Sequence, residues 1–284
     1  MEKLTCILAV VDHVDRDMVV LDKAVALARR YGARVDLMVP EHVPMRPLAN
    51  RCAGLEYDRV ILSSVACGSV PLNEIIARHA FATKPDLVIK FRDAGELTQA
   101  SISSADWQLA SESPAPLLLV HQTPWSIPTR FATVIEVDDA SAERLTRAIL
   151  HAAGYLALGC RGNLDVLYSE RERNDERLRM ERAVKVAQLV REFHVGCERI
   201  EMFSGAPEER LPPIAAQRQY DVLVLGMPDV YSGPVAHDSL IGGMTSRVDS
   251  DLVLVRAINS MAEHTGERAR LLHQQRPDHV EQFV

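Results

Sequence analysis

The sequence predicts an α/β protein that contains two copies of one unit in tandem, each with a parallel sheet between layers of helices. The chain has 284 residues, about twice the length of a common domain of roughly 100–150 residues. Similar stretches recur in its two halves. Within each half, apolar runs rich in β-branched residues alternate with stretches of helical spacing, which is typical of βαβ units.

The duplication is clearest late in each half. Lys84–Ile89 (KPDLVI) matches Gln219–Val224 (QYDVLV), and Pro116–Val120 (PLLLV) matches Asp251–Val255 (DLVLV). Both pairs are displaced by the same 135 residues. A single long displacement indicates an old duplication of a whole domain rather than a short-period solenoid.

The beginnings of the two halves also correspond. Leu4–Val11 is an apolar run that ends at Asp12, and Phe131–Val137 is one that ends at Asp138. Continuous apolar runs of this kind suit strands that are covered on both faces. Helical spacing of apolar residues predicts the next element of each half, over Met18–Tyr31 and Ala142–Leu158.

These patterns divide the chain into residues 1–123, residues 130–257 and a tail of residues 258–284. The boundary lies near Gln122–Arg130, where QTPWSIPTR carries two prolines between a last strand and a new first strand. After Arg256 the apolar periodicity is lost, so the tail is expected to be a short frayed helix or a segment without regular structure.

Composition excludes several classes of function. The net charge of −7 disfavours binding to nucleic acids and to anionic membranes. No apolar run approaches the roughly 18 residues that a membrane-spanning helix needs, so a cytosolic protein is expected. The five cysteines form no CxxC pair and the ten histidines no HExxH motif, so no metal site is predicted.

Several stretches together resemble the tandem universal stress proteins. They are ADWQL (residues 105–109) followed by PAP (residues 114–116), and SGAPEE (residues 204–209) ahead of a proline-bearing helix. A first strand ending in Asp and a fourth strand ending in Gly fit the same family. The resemblance implies two tandem, doubly wound, parallel five-stranded sheets, related to the adenine nucleotide alpha hydrolase-like fold, that form a pseudo-two-fold pair.

The resemblance also implies a place for a ligand. Many universal stress proteins bind ATP at the carboxyl ends of their strands, where the Asp after the first strand meets the nucleoside. A loop of the form G-2X-G-9X-G-(S/T) after the fourth strand wraps the phosphates. Asp12 and Asp138 stand at the position of that Asp. The alternative for both is an ordinary helix N-cap or turn residue.

The loop of the second half matches this motif only in part. Gly226 ends the predicted fourth strand, but Asp229 stands where the second glycine belongs, and its carboxylate would repel phosphate. One register then places Ser239 near the end of the motif, and another uses Gly233 and Gly243. The predicted cofactor-binding residues are therefore Asp138, Gly226, Gly233, Ser239, Gly242, Gly243, Thr245 and Asp12.

The first half keeps no trace of the loop, because residues 91–107 contain only one glycine, Gly95. No catalytic motif such as GxxxxGK(S/T) or GxSxG is present, so we expect a non-enzymatic protein or a very slow ATPase. The resemblance thus predicts a stress-response protein that binds ATP, with Mg²⁺ only if ATP binds, or another small ligand in its second domain. The alternative is a ligand-free scaffold that acts through protein contacts, and an exposed edge strand would allow a homodimer.

Overall fold

A computed structural model describes residues 4–92, 102–135, 142–170, 176–192, 196–227 and 248–257. The strands in these ranges are β1 (Cys6–Val10), β2 (Arg34–Pro40), β3 (Val60–Val65), β4 (Leu87–Phe91), β5 (Leu117–Val120), β6 (Arg130–Ile135), β7 (Asn163–Glu170), β8 (Arg199–Ser204), β9 (Val222–Met227) and β10 (Asp251–Arg256). The helices are α1 (Val14–Tyr31), α2 (Met45–Gly54), α3 (Leu72–Thr83), α4 (Ser104–Glu112), α5 (Ala142–Cys160), α6 (Glu176–Glu192) and α7 (Pro207–Arg218).

The strands form one continuous sheet in the order β3-β2-β1-β4-β5-β10-β9-β6-β7-β8. Each half contributes five parallel strands, and the halves meet where β5 pairs with β10 in antiparallel orientation. The predicted fold class, two doubly wound parallel sheets in tandem, is confirmed. The two sheets are moreover joined edge to edge into a single one.

Apolar helices cover both faces of this sheet. One core layer holds the buried sides of α1, α2, α5 and α6, and the other holds those of α3, α4 and α7. The strands therefore have two buried faces, which explains why β1, β5 and β10 appear in the sequence as uninterrupted apolar runs.

The junction between the halves has a pseudo-two-fold register. Leu118 lies opposite Val253, and on either side of it Leu117 lies opposite Leu254 and Leu119 opposite Leu252. Leu118 and Val253 are themselves equivalent under the 135-residue displacement. The pseudo-two-fold axis therefore passes through this central pair.

Helices α1 and α5 pack across the same axis on one face of the sheet. The rings of Tyr31 and Tyr155 stack with their centroids 4.7 Å apart, and the Tyr31 hydroxyl donates to the Tyr155 carbonyl oxygen. The Tyr155 hydroxyl in turn accepts a 2.8 Å hydrogen bond from the Leu4 amide. Helix contact thus strengthens the junction that the strand pairing makes.

A repeated aspartate ties the fourth strand of each half to the first. In the first half, Asp86 Oδ2 accepts hydrogen bonds from the Thr5 amide (2.6 Å), the Thr5 hydroxyl (2.8 Å) and the Cys6 amide (3.0 Å). In the second half, the Asp221 carboxylate accepts from the Ser126 amide (2.9 Å) and the Arg130 amide (2.7 Å). This shared role explains why both matched stretches contain the aspartate.

We expect Asp86→Ala and Asp221→Ala each to lower the free energy of unfolding by about 1–3 kcal/mol, because backbone amides lose a charged acceptor. Urea denaturation would measure the change. The control is Asp22→Ala, which removes an exposed ion pair with Arg51 and should cost at most about 1 kcal/mol. An equal loss in all three variants would contradict this role of the repeated aspartate.

Candidate functional site

The strand order of each half reverses at one point, where open parallel sheets usually bind their ligands. In the first half this switch point lies between the carboxyl ends of β1 and β4, and in the second half between those of β6 and β9. Because β5 and β10 are antiparallel, the strands of the two halves run in opposite directions. Their carboxyl ends, and with them the two switch points, therefore lie at opposite ends of the strands. Each is therefore a separate candidate site.

The structure describes two of the predicted cofactor-binding residues, Asp12 and Gly226, and each lies beside the switch point of its own half. The other six lie outside the described residues. They are Asp138, Gly233, Ser239, Gly242, Gly243 and Thr245. In the chain, Asp138 belongs to residues 136–141, which follow β6, and the other five belong to residues 228–247, which follow β9.

Asp12 does not cap helix α1 with its side chain. The N-cap position is His13, and the amides of Asp12 and His13 both donate to Asp17 Oδ2, at 2.9 and 3.0 Å. Asp12 Oδ1 instead lies 3.3 Å from Nε2 of His42, and the Asp12 side chain is 26% exposed. The N-cap alternative for Asp12 is therefore wrong, whereas its role in ligand binding stays a prediction.

The end of β4 in the first half is filled by side chains. The guanidinium of Arg16 lies over the ring of Phe91, 4.7 Å from its centroid. On the other face, Lys90 Nζ lies 2.9 Å from Oδ1 of Asp106, and both side chains are largely buried. Asp106 belongs to the ADWQL stretch, so that stretch has a structural role here.

A buried polar network follows directly from this end of β4 and joins the two halves. The Asp251 carboxylate accepts from Lys23 Nζ (2.6 Å), from Trp125 Nε1 (2.6 Å) and from the His121 amide (2.8 Å). Arg92 Nη1 lies 2.9 Å from His121 Nε2 and 3.4 Å from the carbonyl oxygens of Val248 and Ser250. These contacts hold together the linker residue Trp125, the first residue of β10 and the residues that directly follow β4 and β5.

Burial controls the charges in this network. It lowers the pKa of Arg92 to about 10, and together with the nearby Arg92 and Lys23 charges it lowers the pKa of His121 to about 4. Burial also raises the pKa of Asp251 and lowers that of Lys23, and their mutual contact opposes both shifts. Since a guanidinium can only donate, the neutral His121 accepts at Nε2.

One signal of this network is present in the sequence, outside the motifs discussed above. Asp251 stands where the first half has Pro116, at the start of a strand that is otherwise apolar. Trp125 lies in the linker stretch QTPWSIPTR, and its ring packs against Phe131 in an edge-on arrangement, with centroids 6.5 Å apart. Its hydrogen bond to Asp251 depends on the tertiary structure.

Gly226 occupies the position of Phe91 in the second half. A Cβ atom there would lie 2.5 Å from Ile149 Cδ1 and 2.9 Å from Leu145 Cδ2, so helix α5 packs directly on the backbone of β9. Close helix packing is thus sufficient to explain the glycine. The backbone of Gly226 remains partly exposed beside the switch point.

Comparisons with known proteins agree with this fold. No family model matches the chain. A universal stress protein E homolog from Haemophilus influenzae is 24% identical over 160 residues, which are 50% of this chain and 52% of that protein. The chain thus matches only about half the length of this curated relative.

Two solved structures resemble nearly the whole chain. A putative universal stress protein from Pseudomonas aeruginosa has a TM-score of 0.75 at 19% identity and covers 89% of this chain and 93% of its own. A functionally unknown protein from Pseudomonas aeruginosa PAO1 has a TM-score of 0.71 at 18% identity, covering 89% and 92%. The protein therefore has the fold of a universal stress protein in its tandem, two-domain form, and the resemblance predicted from the sequence is confirmed.

Two further features concern the described residues alone. None of their helices combines the length and hydropathy of a membrane-spanning segment. Their His, Cys, Asp and Glu side chains form no group of three or more that could hold a metal ion.

The free energy of unfolding should fall as the pH is lowered from about 6.5 towards about 4. Over this range the unfolded state binds a proton at His121 that the folded state excludes, which gives a slope of at most about 1.4 kcal/mol per pH unit. His121→Gln should reduce the slope, measured by urea denaturation at a series of pH values. The exposed His13 provides the control His13→Gln, and an equal effect of both variants would contradict the assignment.

Gly226→Ala should lower the free energy of unfolding by about 1–3 kcal/mol, because the added methyl group overpacks the contact with α5. The matched control is Gly54→Ala, since a Cβ atom at Gly54 meets nothing within 4 Å. Thermal denaturation of both variants would compare them. A neutral Gly226→Ala variant would show that α5 does not press on β9.

Proposed function

We propose that the protein is a non-enzymatic stress-response protein that binds an adenine nucleotide or a related small ligand at the switch point of its second half. The observation that carries this proposal is that the switch point of the second half lies between β6 and β9, and two chain segments with predicted site residues follow these strands. Residues 136–141, with Asp138, follow one strand of the switch point, and residues 228–247, with the partial glycine motif, follow the other.

The contrast with the first half supports the choice of the second. In the first half, Phe91 and Arg16 lie against each other at the end of β4, and Arg92 is held by His121 and by the start of β10. In the second half, Gly226 presents backbone without a side chain at the equivalent position. Helix α5 packs on one side of this backbone, and the part that remains exposed can be approached closely by phosphate oxygens because glycine has no side chain.

Calorimetric titration with ATP and AMP, with and without Mg²⁺, tests the proposal. We expect one site per chain and a loss of affinity of at least about tenfold for Asp138→Ala, since a lost charged hydrogen bond costs about 1.5–3 kcal/mol. The matched variant Asp12→Ala should bind as the unchanged chain does. Absence of heat and of a thermal shift at millimolar nucleotide would remove the nucleotide from the proposal.

The same sample would test the enzymatic alternative. We expect no multiple-turnover phosphate release from ATP, or a very slow one, because the sequence offers no catalytic motif. Release at an appreciable rate that vanishes in Asp138→Ala would instead make the second half an ATPase.

A scaffold role is the second candidate, and the filled edge of the first half favours it. The buried Lys90–Asp106 pair and the buried Arg92 side chain there serve the fold itself. A crystal structure grown with nucleotide would distinguish the two functions. Ligand density at the β6–β9 switch point supports nucleotide binding, whereas side chains filling both switch points support the scaffold.

A further inference from the structure

Exposed apolar side chains concentrate at the β8 edge of the sheet. Among the described residues, eight large apolar side chains are exposed, and four of them lie on α6 and β8. Three of these four are Met180 (69% exposed), Val184 (61%) and Ile200 (38%). Within the described part of the chain, no strand pairs with the outer side of β8. An exposed apolar cluster beside such an edge strand indicates an interaction surface.

Met180 faces outward from the edge, and Val184, one helical turn further along α6, lies next to it on the exposed side of the helix. At about 100° per residue, Met180 lies about 120° to one side of the buried Val186, and Glu192 lies about 120° to the other. Glu192 reaches Arg147 of α5 at 3.5 Å, so the flank with Met180 is the one turned away from α5. That flank is the one above β8.

Ile200 lies on the same face of the sheet as these helix residues. Side chains alternate along a strand, and Met202 of β8 packs against the core layer that contains the buried side of α6. Ile200, two residues before Met202, therefore points to the α6 face. We define Met180 and Ile200, with Val184 one helical turn from Met180, as the β8 edge surface.

The charges on β8 are self-complementary in one register. Arg199 and Glu201 flank Ile200, so antiparallel pairing of two copies of β8 about Ile200 places each Arg199 opposite Glu201 of the other copy. Shifting the centre to residue 201 would instead oppose two glutamates, which is unfavourable. Opposite charges therefore favour one pairing and exclude its neighbour.

The backbone hydrogen-bonding groups agree with this register. The Asn163 amide donates to Thr129, which precedes β6, so alternate residues of β7 beginning with Leu164 bond towards β8. Because Val166 lies opposite Ile200, the backbone amide and carbonyl of Ile200 point away from β7. Two copies of Ile200 would therefore form a hydrogen-bonded pair at the centre.

The two charges are also accessible. The Arg199 side chain is 45% exposed, and its contact with Glu201 of its own chain is 3.8 Å long. Glu201 is 33% exposed and accepts a 2.8 Å contact from Arg218. An arginine from a second copy would give Glu201 another partner without displacing Arg218.

We propose that the β8 edge surface joins two copies of this chain, through antiparallel pairing of β8 about Ile200 and contact between the two α6 helices. The chain already joins its own halves by an antiparallel pairing of edge strands, at β5 and β10. A two-fold axis at Ile200 repeats that geometry between molecules and keeps both α6 helices on one face.

Sedimentation velocity over a wide concentration range tests this interface. The unchanged chain should sediment as a species of twice the chain mass, and Ile200→Lys should weaken association at least about tenfold, because two lysines then face each other. The matched control is Ile61→Lys on β3, the opposite edge strand, where Ile61 is 51% exposed. It should leave association unchanged.

Disulfide trapping gives a second, register-specific measurement. Hydrogen-bonded antiparallel pairs have Cα atoms about 5.5 Å apart, which suits a disulfide, so Ile200→Cys should form a covalent dimer under mild oxidation. Ile61→Cys and the unchanged chain, with its five native cysteines, are the controls for other cross-links.

The outcomes are decisive in either direction. A monomer at every concentration, or a dimer that Ile61→Lys but not Ile200→Lys dissociates, would overturn the proposal. Circular dichroism and the thermal midpoint should match those of the unchanged chain in both lysine variants, because both positions are exposed. Nucleotide binding is measured separately, so its failure would not affect this interface.

Discussion

The antiparallel pairing of β5 with β10 is the contact on which the rest of the structure depends. It turns two parallel sheets into one and buries an edge strand of each half that would otherwise expose unpaired amides and carbonyls. It also reverses the strand direction at the centre of the sheet, so the two switch points must lie at opposite ends of the strands. A ligand at one site therefore cannot contact the other, and each half can diverge independently.

That divergence is visible around the axis itself. On one side, Asp251, Lys23 and Trp125 form a buried polar network, whereas the equivalent of Asp251 in the first half is Pro116. Burying charges is costly, and removing one partner leaves the other uncompensated. The contacts of the network fix the linker and the end of β4 to the start of β10.

Much of the fold could be predicted from the sequence because its signals are local. The matched stretches LLLV and LVLV gave the tandem repeat, and continuous apolar runs gave strands with two covered faces. The partners of individual polar residues could not be predicted in this way. Trp125 and Asp251 meet across 126 residues of chain, and Asp86 reaches Thr5 across 81, so only the folded topology brings them together. For Asp12 the sequence left a cap or turn role and a ligand role open. The folded chain shows that it is not the cap, because His13 holds the N-cap position and Asp17 accepts from the amides of Asp12 and His13.

The position of the proposed dimer contact is compatible with ligand binding in the same half. Strand β7 separates β8 from the switch point between β6 and β9. Pairing at β8 extends the sheet sideways and leaves the carboxyl ends of its strands uncovered. Because such pairing is antiparallel, the second-half strands of the two copies would run in opposite directions. Their switch points would then lie at opposite ends of the strands of the extended sheet. The geometry that separates the two halves within one chain would thus separate the two ligand sites of a dimer, and any coupling between them would have to pass through the sheet rather than through direct contact.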